Sequence, residues 1–173
     1  MFLYIDSNRA YLVFSTVLHD QHLLSWFLAH GASPNANNEI HRTSMDAAAW
    51  FTNTHVLEQL LQHGGMINQT NALHMAVRSS KPSALRRQVV EYLLKAGVNI
   101  NAIEFEGTER VSSSYGTALH NAAGMGREDM VRLLLENGAD IKVRDMSGHT
   151  ASEVAEKEGY PQLIPMLSAA QRV

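Results

Sequence analysis

The chain is 173 residues long, 45% hydrophobic and 18% charged, with a net charge of −3 at neutral pH and no cysteine. That length can bury a real core in one domain or a short array, and no Lys/Arg clustering answers the phosphate neutralisation that nucleic acid or an anionic membrane surface demands. There is no disulfide framework and no thiolate metal site. The apolar start MFLYI is short, is broken by Asp6 and has no basic residue before it, and no run reaches the length of a membrane span. A soluble, intracellular protein is expected, cytoplasmic or nuclear.

Taken in order, the chain reads as units of one design: a capped short helix, a turn, a second helix with one apolar face, and an exit through glycine. The first, residues 7–37, has a degenerate opening, but its second half places Leu23, Leu24, Phe27 and Leu28 on a core face before Gly31. Phe2, Leu3, Tyr4, Ile5, Tyr11 and Phe14 make this terminal unit apolar where a terminal unit normally turns a polar side to water. A contact through the N-terminal segment, or a longer parent chain, would account for it.

The second unit, residues 38–69, opens at Thr43, where Asp46 is placed to close a capping box, and carries Val56, Leu57, Leu60 and Leu61 on its core face. Gly31 to Thr43 spans 12 positions and Thr43 to Gly64 spans 21, which sum to 33. The third unit, residues 70–102, opens with NALHMAV only 7 positions after Gly64, so the connection before it is nearly absent. It then runs 26 positions from Asn71 to Gly97, with the extra residues in SSKPSALRRQ, where Pro82 suits the start of a lengthened second helix. Val89, Val90, Leu93 and Leu94 keep the core pattern.

The fourth unit, residues 103–142, follows a long connection over 102–116 and contains the clearest stretch, YGTALHNAAGMGREDMVRLLLENGADIK. Thr117 is placed to cap a first helix through residues 121–124, Gly126 to turn the chain, and Met130, Val131, Leu134 and Leu135 to form one apolar face of a second helix over 130–137, ended by Gly138. The last unit, residues 143–173, has a capping-box pair in Thr150 and Glu153, and Pro161 and Pro165 to shorten or bend its final helix.

TALHNAA in the fourth unit and NALHMAV in the third, on a period near 33, resemble the T-P-L-H-x-A signature of the ankyrin repeat family. The resemblance covers essentially the whole chain. It implies an all-α ankyrin-repeat solenoid of about five stacked helix-turn-helix repeats with short β-turn fingers, residues 7–37 and 143–173 being the caps. The order of short finger, long third repeat and long finger ending in YGTALH is also similar to ankyrin proteins of filamentous fungi, some of them linked to secondary metabolism.

In that family partners generally bind the concave face, made of the fingers and the ends of the first helices. Carried onto matching positions, the rule selects Val17, Leu18, His41, Arg42, Trp50, Phe51, Arg78, Ser79, Tyr115, Gly124 and Met125 as contacts for a protein partner. Trp50 and Phe51 beside Val17 and Leu18 would make an apolar groove larger than an ordinary monomer exposes. Against this stands the reading that Trp50 folds beneath the long finger or the N-terminal segment and is simply core.

The nine histidines invite an enzyme reading. His74 and His120 occupy the motif position, where the resemblance implies that imidazole ties the opening turn to the neighbouring connection. His30 and His63 precede helix-ending glycines, where a donor suits the last carbonyls, and His19 and His22 lie between the helices of the first repeat with no third ligand beside them. Asp46 replaces the motif histidine and serves as a cap or, in an enzyme, as the acid or base. An enzyme of cyclase or isomerase type, or a binder of an apolar small molecule, would use the same groove with Asp46, His74, Tyr115 and His120 as its polar groups. No phosphate-cradling loop or metal-ligand spacing is present, so no cofactor and no metal are implied. Glu104, Glu106 and Glu109 on the long finger read as a solvated loop that could at most meet a basic protein segment.

Overall fold

The structure, a computed structural model, describes residues 20–36, 42–51, 53–104 and 116–169. Among these residues the chain forms nine α-helices: α1 (Gln21–Ala29), α2 (Ser44–Phe51), α3 (Thr54–Gln62), α4 (Ala72–Arg78), α5 (Ser83–Lys95), α6 (Ala118–Gly124), α7 (Glu128–Glu136), α8 (Ala151–Lys157) and α9 (Ile164–Ala169). Short 3-10 turns lie at Ile67–Gln69 and Pro161–Leu163. None of these helices is long and apolar enough to cross a membrane. The expected all-α ankyrin-repeat solenoid is what is found.

The helices form two layers. The first helices α2, α4, α6 and α8 stack in one, and the second helices α1, α3, α5 and α7 in the other, with α9 closing onto α8. Side-chain size explains the close first layer: Ala48 and Ala49, Ala72 and Ala76, Ala122 and Ala123, and Ala151 and Ala155 are buried where the helices cross. The second layer packs through repeated apolar faces. Val56, Leu57 and Leu60, then Val89, Val90 and Leu93, then Met130, Val131 and Leu134 are fully buried, and Leu61, Leu94 and Leu135 partly so.

Three details differ from the expected pattern. Leu23, assigned to the core face, is exposed in α1. Its equivalents Val56, Val89 and Met130 are fully buried, and the residues of the first repeat's opening half lie outside the described ones. His22 lies within α1 rather than between helices. In the fourth repeat α6 starts at Ala118 and α7 at Glu128, each earlier than the apolar pattern alone marks, because Thr117 begins the helix directly and Glu128 and Asp129 suit a helix's positive end.

The lengthened helix is present: α5 has 13 residues against nine in α1, α3 and α7, and Pro82 stands at its N-cap. Between α6 and α7, Gly126 has φ 65°, and a Cβ there would lie 2.4 Å from Cε1 of Tyr160. Only glycine meets both the left-handed turn and that close ring.

A ladder of asparagines crosses every finger junction. The side-chain carbonyl of Asn35 accepts from the Met66 amide (2.7 Å), that of Asn68 from Asn99 (3.1 Å), and that of Asn101 from Asp140 (2.8 Å). The three asparagines recur every 33 positions, each four after a helix-ending glycine. That period is carried by the sequence itself, alongside the apolar faces.

Leu134, within α7, has no exposed surface. Leu134→Ala is expected to cost about 2–5 kcal/mol as a core truncation. Urea unfolding measures it, and an unchanged midpoint would contradict the repeat assignment.

Candidate functional site

Three of the four first helices, α2, α6 and α8, begin with the same device, built from the cap and the residue three positions on, whereas Asn71 at the start of α4 makes no side-chain cap bond. Thr43 and Asp46 exchange bonds (Thr43 amide to Asp46 Oδ2, 2.8 Å; Asp46 amide to Thr43 Oγ1, 3.1 Å). Thr150 and Glu153 do the same (2.7 and 3.3 Å). In the fourth repeat the partner is imidazole: the Thr117 amide donates to His120 Nδ1 (3.1 Å). Two orphan amides are satisfied at each such start.

The histidines then reach outward. His120 Nε2–H donates to the His149 carbonyl (3.0 Å), and His74 Nε2–H to the Gly116 carbonyl (3.1 Å), each time the residue just before the next repeat's cap. Asp46 has no proton to donate in its ionised form. Its carboxylate is instead stabilised by the backbone amide of Asn71, the cap residue of the next repeat. The three motif residues thus serve three successive junctions and do not converge on one point.

Burial tunes them in opposite senses. Desolvation pushes the Asp46 carboxyl up from 3.8 to about 6, against the hydrogen bonds from Thr43 and Asn71 and the charge of Arg42. Desolvation pushes the His74 imidazole down from 6.5 to about 4, against the pull of Glu104, so it is neutral at physiological pH. The His120 imidazole is also lowered, by burial first, with the His149 carbonyl and Asp145 opposing.

The ends of the first helices carry the residues selected from the sequence. Trp50 is 38% exposed although α2 is buried from Ser44 to Ala49. Met125, just beyond α6, is also exposed, and Gly124 is half-buried. Arg42 is half-buried beside Asp46. Val17, Leu18, His41 and Tyr115 lie outside the described residues.

The assignments of Ser79, Arg78 and Glu104 change. Ser79, expected to face a partner, has no exposed surface, and its Oγ–H donates to the Trp50 carbonyl (2.7 Å), one of the carbonyls that the end of α2 leaves open. Phe51 is half-buried and packs on the core. Arg78 does not offer its fork: Nη1 and Nη2 bind both oxygens of Glu104 (3.0 and 2.5 Å). Glu104, expected in a solvated acidic loop, is therefore buried, its side chain only 2% exposed against 26% for Arg78.

This pair sits at the root of the long finger. The Glu104 amide donates to the Gly116 carbonyl (3.1 Å), which also accepts from His74, so both ends of the finger are held together. The helix-end reading of His30 and His63 is also seen, with Nδ1 contacts of 2.7 and 2.9 Å to the Trp26 and Gln59 carbonyls. A groove of about 480 Å³ lies elsewhere, between α5 and α7, with Leu94, Val98, Ile100 and Leu133 beside Lys95 and Glu136.

The Arg78 to Glu104 pair has unequal halves. Arg78→Ala strands a buried carboxylate and is expected to cost about 3 kcal/mol, whereas Glu104→Gln leaves a part-exposed cation and costs less. Equal losses in urea unfolding would contradict that asymmetry. The pH dependence has its own sign. Asp46 is raised, so its stabilising contribution is full below about pH 4 and lost as pH rises through 6; His74 is lowered, so its contribution is full above about 6.5 and lost as pH falls through 4. The two oppose each other over one window. Asp46→Asn should therefore fare better relative to the parent at pH 7 than at pH 4, by on the order of 2–3 kcal/mol. Parallel stability curves would disprove it.

With this geometry established, comparison with known proteins places the repeats. The family model described as ankyrin repeats (three copies) matches residues 14–104, and the single ankyrin repeat model matches residues 116–146. Similar curated proteins include a probable E3 ubiquitin-protein ligase XBOS33 of Oryza sativa subsp. japonica, 47% identical over 49 residues, which are 28% of this chain and 9% of that protein. Potassium channel AKT3 of the same organism is 43% identical over 56 residues, 32% of this chain and 6% of the channel. Protein phosphatase 1 regulatory subunit 27 of Homo sapiens is 42% identical over 50 residues, 29% of this chain and 32% of the subunit. The matches span a small part of each relative, and the relatives' names share no single activity, so the similarity follows the repeat. On the family match and the stacked, capped repeats together, the chain belongs to the ankyrin repeat family.

Proposed function

We propose that the chain is a non-enzymatic interaction module that takes a protein segment on its concave face and fingers. One observation carries the reading: Trp50 ends a helix that is otherwise buried, yet keeps 38% of its surface open on the side where the first helices end. A tryptophan in that state gains most by being covered, and large aromatics dominate the energetics of protein interfaces.

The surroundings favour an apolar anchor from the partner over a charged one. Arg78, the cation next along the row of helix ends, already has its fork on Glu104, while Met125 and Ile103 offer soft, exposed apolar surface. A regulatory subunit, as one relative is named, is by definition a protein bound to a protein. Asp46, His74 and His120 each bridge their own repeat junction, so the small-molecule enzyme reading draws no support from their arrangement.

Affinity capture from the native lysate, with proteins and small molecules both analysed, tests the proposal against Trp50→Ala. A specific protein recovered with the parent chain and lost with Trp50→Ala is expected, with the melting temperature nearly unchanged because the indole is already part-exposed. Capture of the same protein by Trp50→Ala, or a metabolite alone in the parent eluate, would count against it.

A further inference from the structure

The lengthening of the third repeat places residues 79–82 between α4 and α5, and the fourth repeat grips this segment. The Arg127 guanidinium, through Nη1, donates to the carbonyls of Val77 and of Ser79, the latter at 2.7 Å. Both belong to the end of α4, where carbonyls have no partner within the helix. Arg86 holds the Lys81 carbonyl (2.7 Å) and the Asp129 carboxylate (3.2 Å), and the Ser83 hydroxyl donates to that same carboxylate. Burial, and then the charge of Arg86, lower the Arg127 pKa, as befits a cation resting on carbonyls rather than in water.

Ser79 passes the grip onward. Its Oγ–H donates to the Trp50 carbonyl, and the same oxygen accepts from the Lys81 amide (3.3 Å). The end of α2, where the exposed indole is mounted, is therefore tied through one buried hydroxyl to a segment that a cation from two repeats away holds still. Packed repeats otherwise touch only their neighbours.

We propose that Arg127, acting through Ser79, is a positioning residue that sets Trp50 on the concave face. This rests on the reading of Trp50 as the partner contact, and it names a residue that shapes that contact without touching the partner.

The chain has two tryptophans, so in a Trp26→Phe background Trp50 is the sole indole and reports its own position with no partner present. Arg127→Gln and Ser79→Ala are each expected to shift the Trp50 emission and raise its quenching by acrylamide. The double variant should shift it no further than the larger single change, since both act on one route. Arg127→Lys, which keeps a cation able to donate to carbonyls, should give a smaller shift. Leu134→Ala destabilises the same repeat and should leave the folded-state emission alone. If Arg127→Gln does not fold, Arg127→Lys and Ser79→Ala carry the test.

Unchanged Trp50 emission and quenching in the arginine and serine variants would overturn the proposal, as would an equal shift in Leu134→Ala or additive effects in the double variant. If Trp50 responds as expected but Trp50→Ala still captures the partner, the positioning route stands and the contact reading falls.

Discussion

A stack of short helices depends on closing the backbone ends of one repeat with groups from the next. Helices of seven to nine residues leave most of their amides and carbonyls near an end, where intrahelical partners run out. Here Asp46, His74 and His120, the motif residues of three successive first helices, answer that need. In the fourth repeat one imidazole does it in both directions, with Nδ1 accepting from the cap amide and Nε2–H reaching the next finger. Burying the apolar faces drives the stacking, but these bonds fix its register, because an unpaired polar group at a dry junction costs about 1–3 kcal/mol.

The same constraint explains why two irregular lengths are tolerated. The long finger separates its roots, Glu104 and Gly116, widely in the chain, yet the two are joined by a backbone bond, with Arg78 and His74 bonding one root each. The asparagine ladder also spans it: Asn101 still meets Asp140, although 39 positions separate them where 31 separate the pairs before. Extra length in a connection with joined roots costs little, because loop-closure entropy grows only slowly with length. In the third repeat the added residues lengthen α5 and supply a segment that Arg86 and Arg127 fasten.

Burial gives the motif residues a second character. Asp46 and His74 occupy equivalent places in adjacent repeats, and desolvation disfavours the charged form of each. One is an acid and the other a base, so their contributions run in opposite directions with pH. Shifted titration is often a sign of catalytic tuning. Here each shifted group bridges a different junction, and the shift follows from structural burial.

The sequence by itself determined the repeat, its helices and its register. Thr43, Thr117 and Thr150 with their partners three residues on, the alanine pairs, the apolar faces and the helix-ending glycines are local patterns, and local patterns act through hydrogen bonds and periodicity that any short segment carries within it. The same holds for His30 and His63, whose carbonyl partners lie four residues away. What only the tertiary structure decided is which side chains at the helix ends remain free. Arg78 and Glu104 are 26 positions apart, Ser79 and Trp50 are 29 apart, and Arg127 lies 48 from the carbonyl of Ser79. Nothing near any of these residues in the chain announces its partner. Whether a polar side chain faces water or another repeat depends on what the folded stack brings within about 3 Å of it, and so the open surface around Trp50 could be read only once the stack was built.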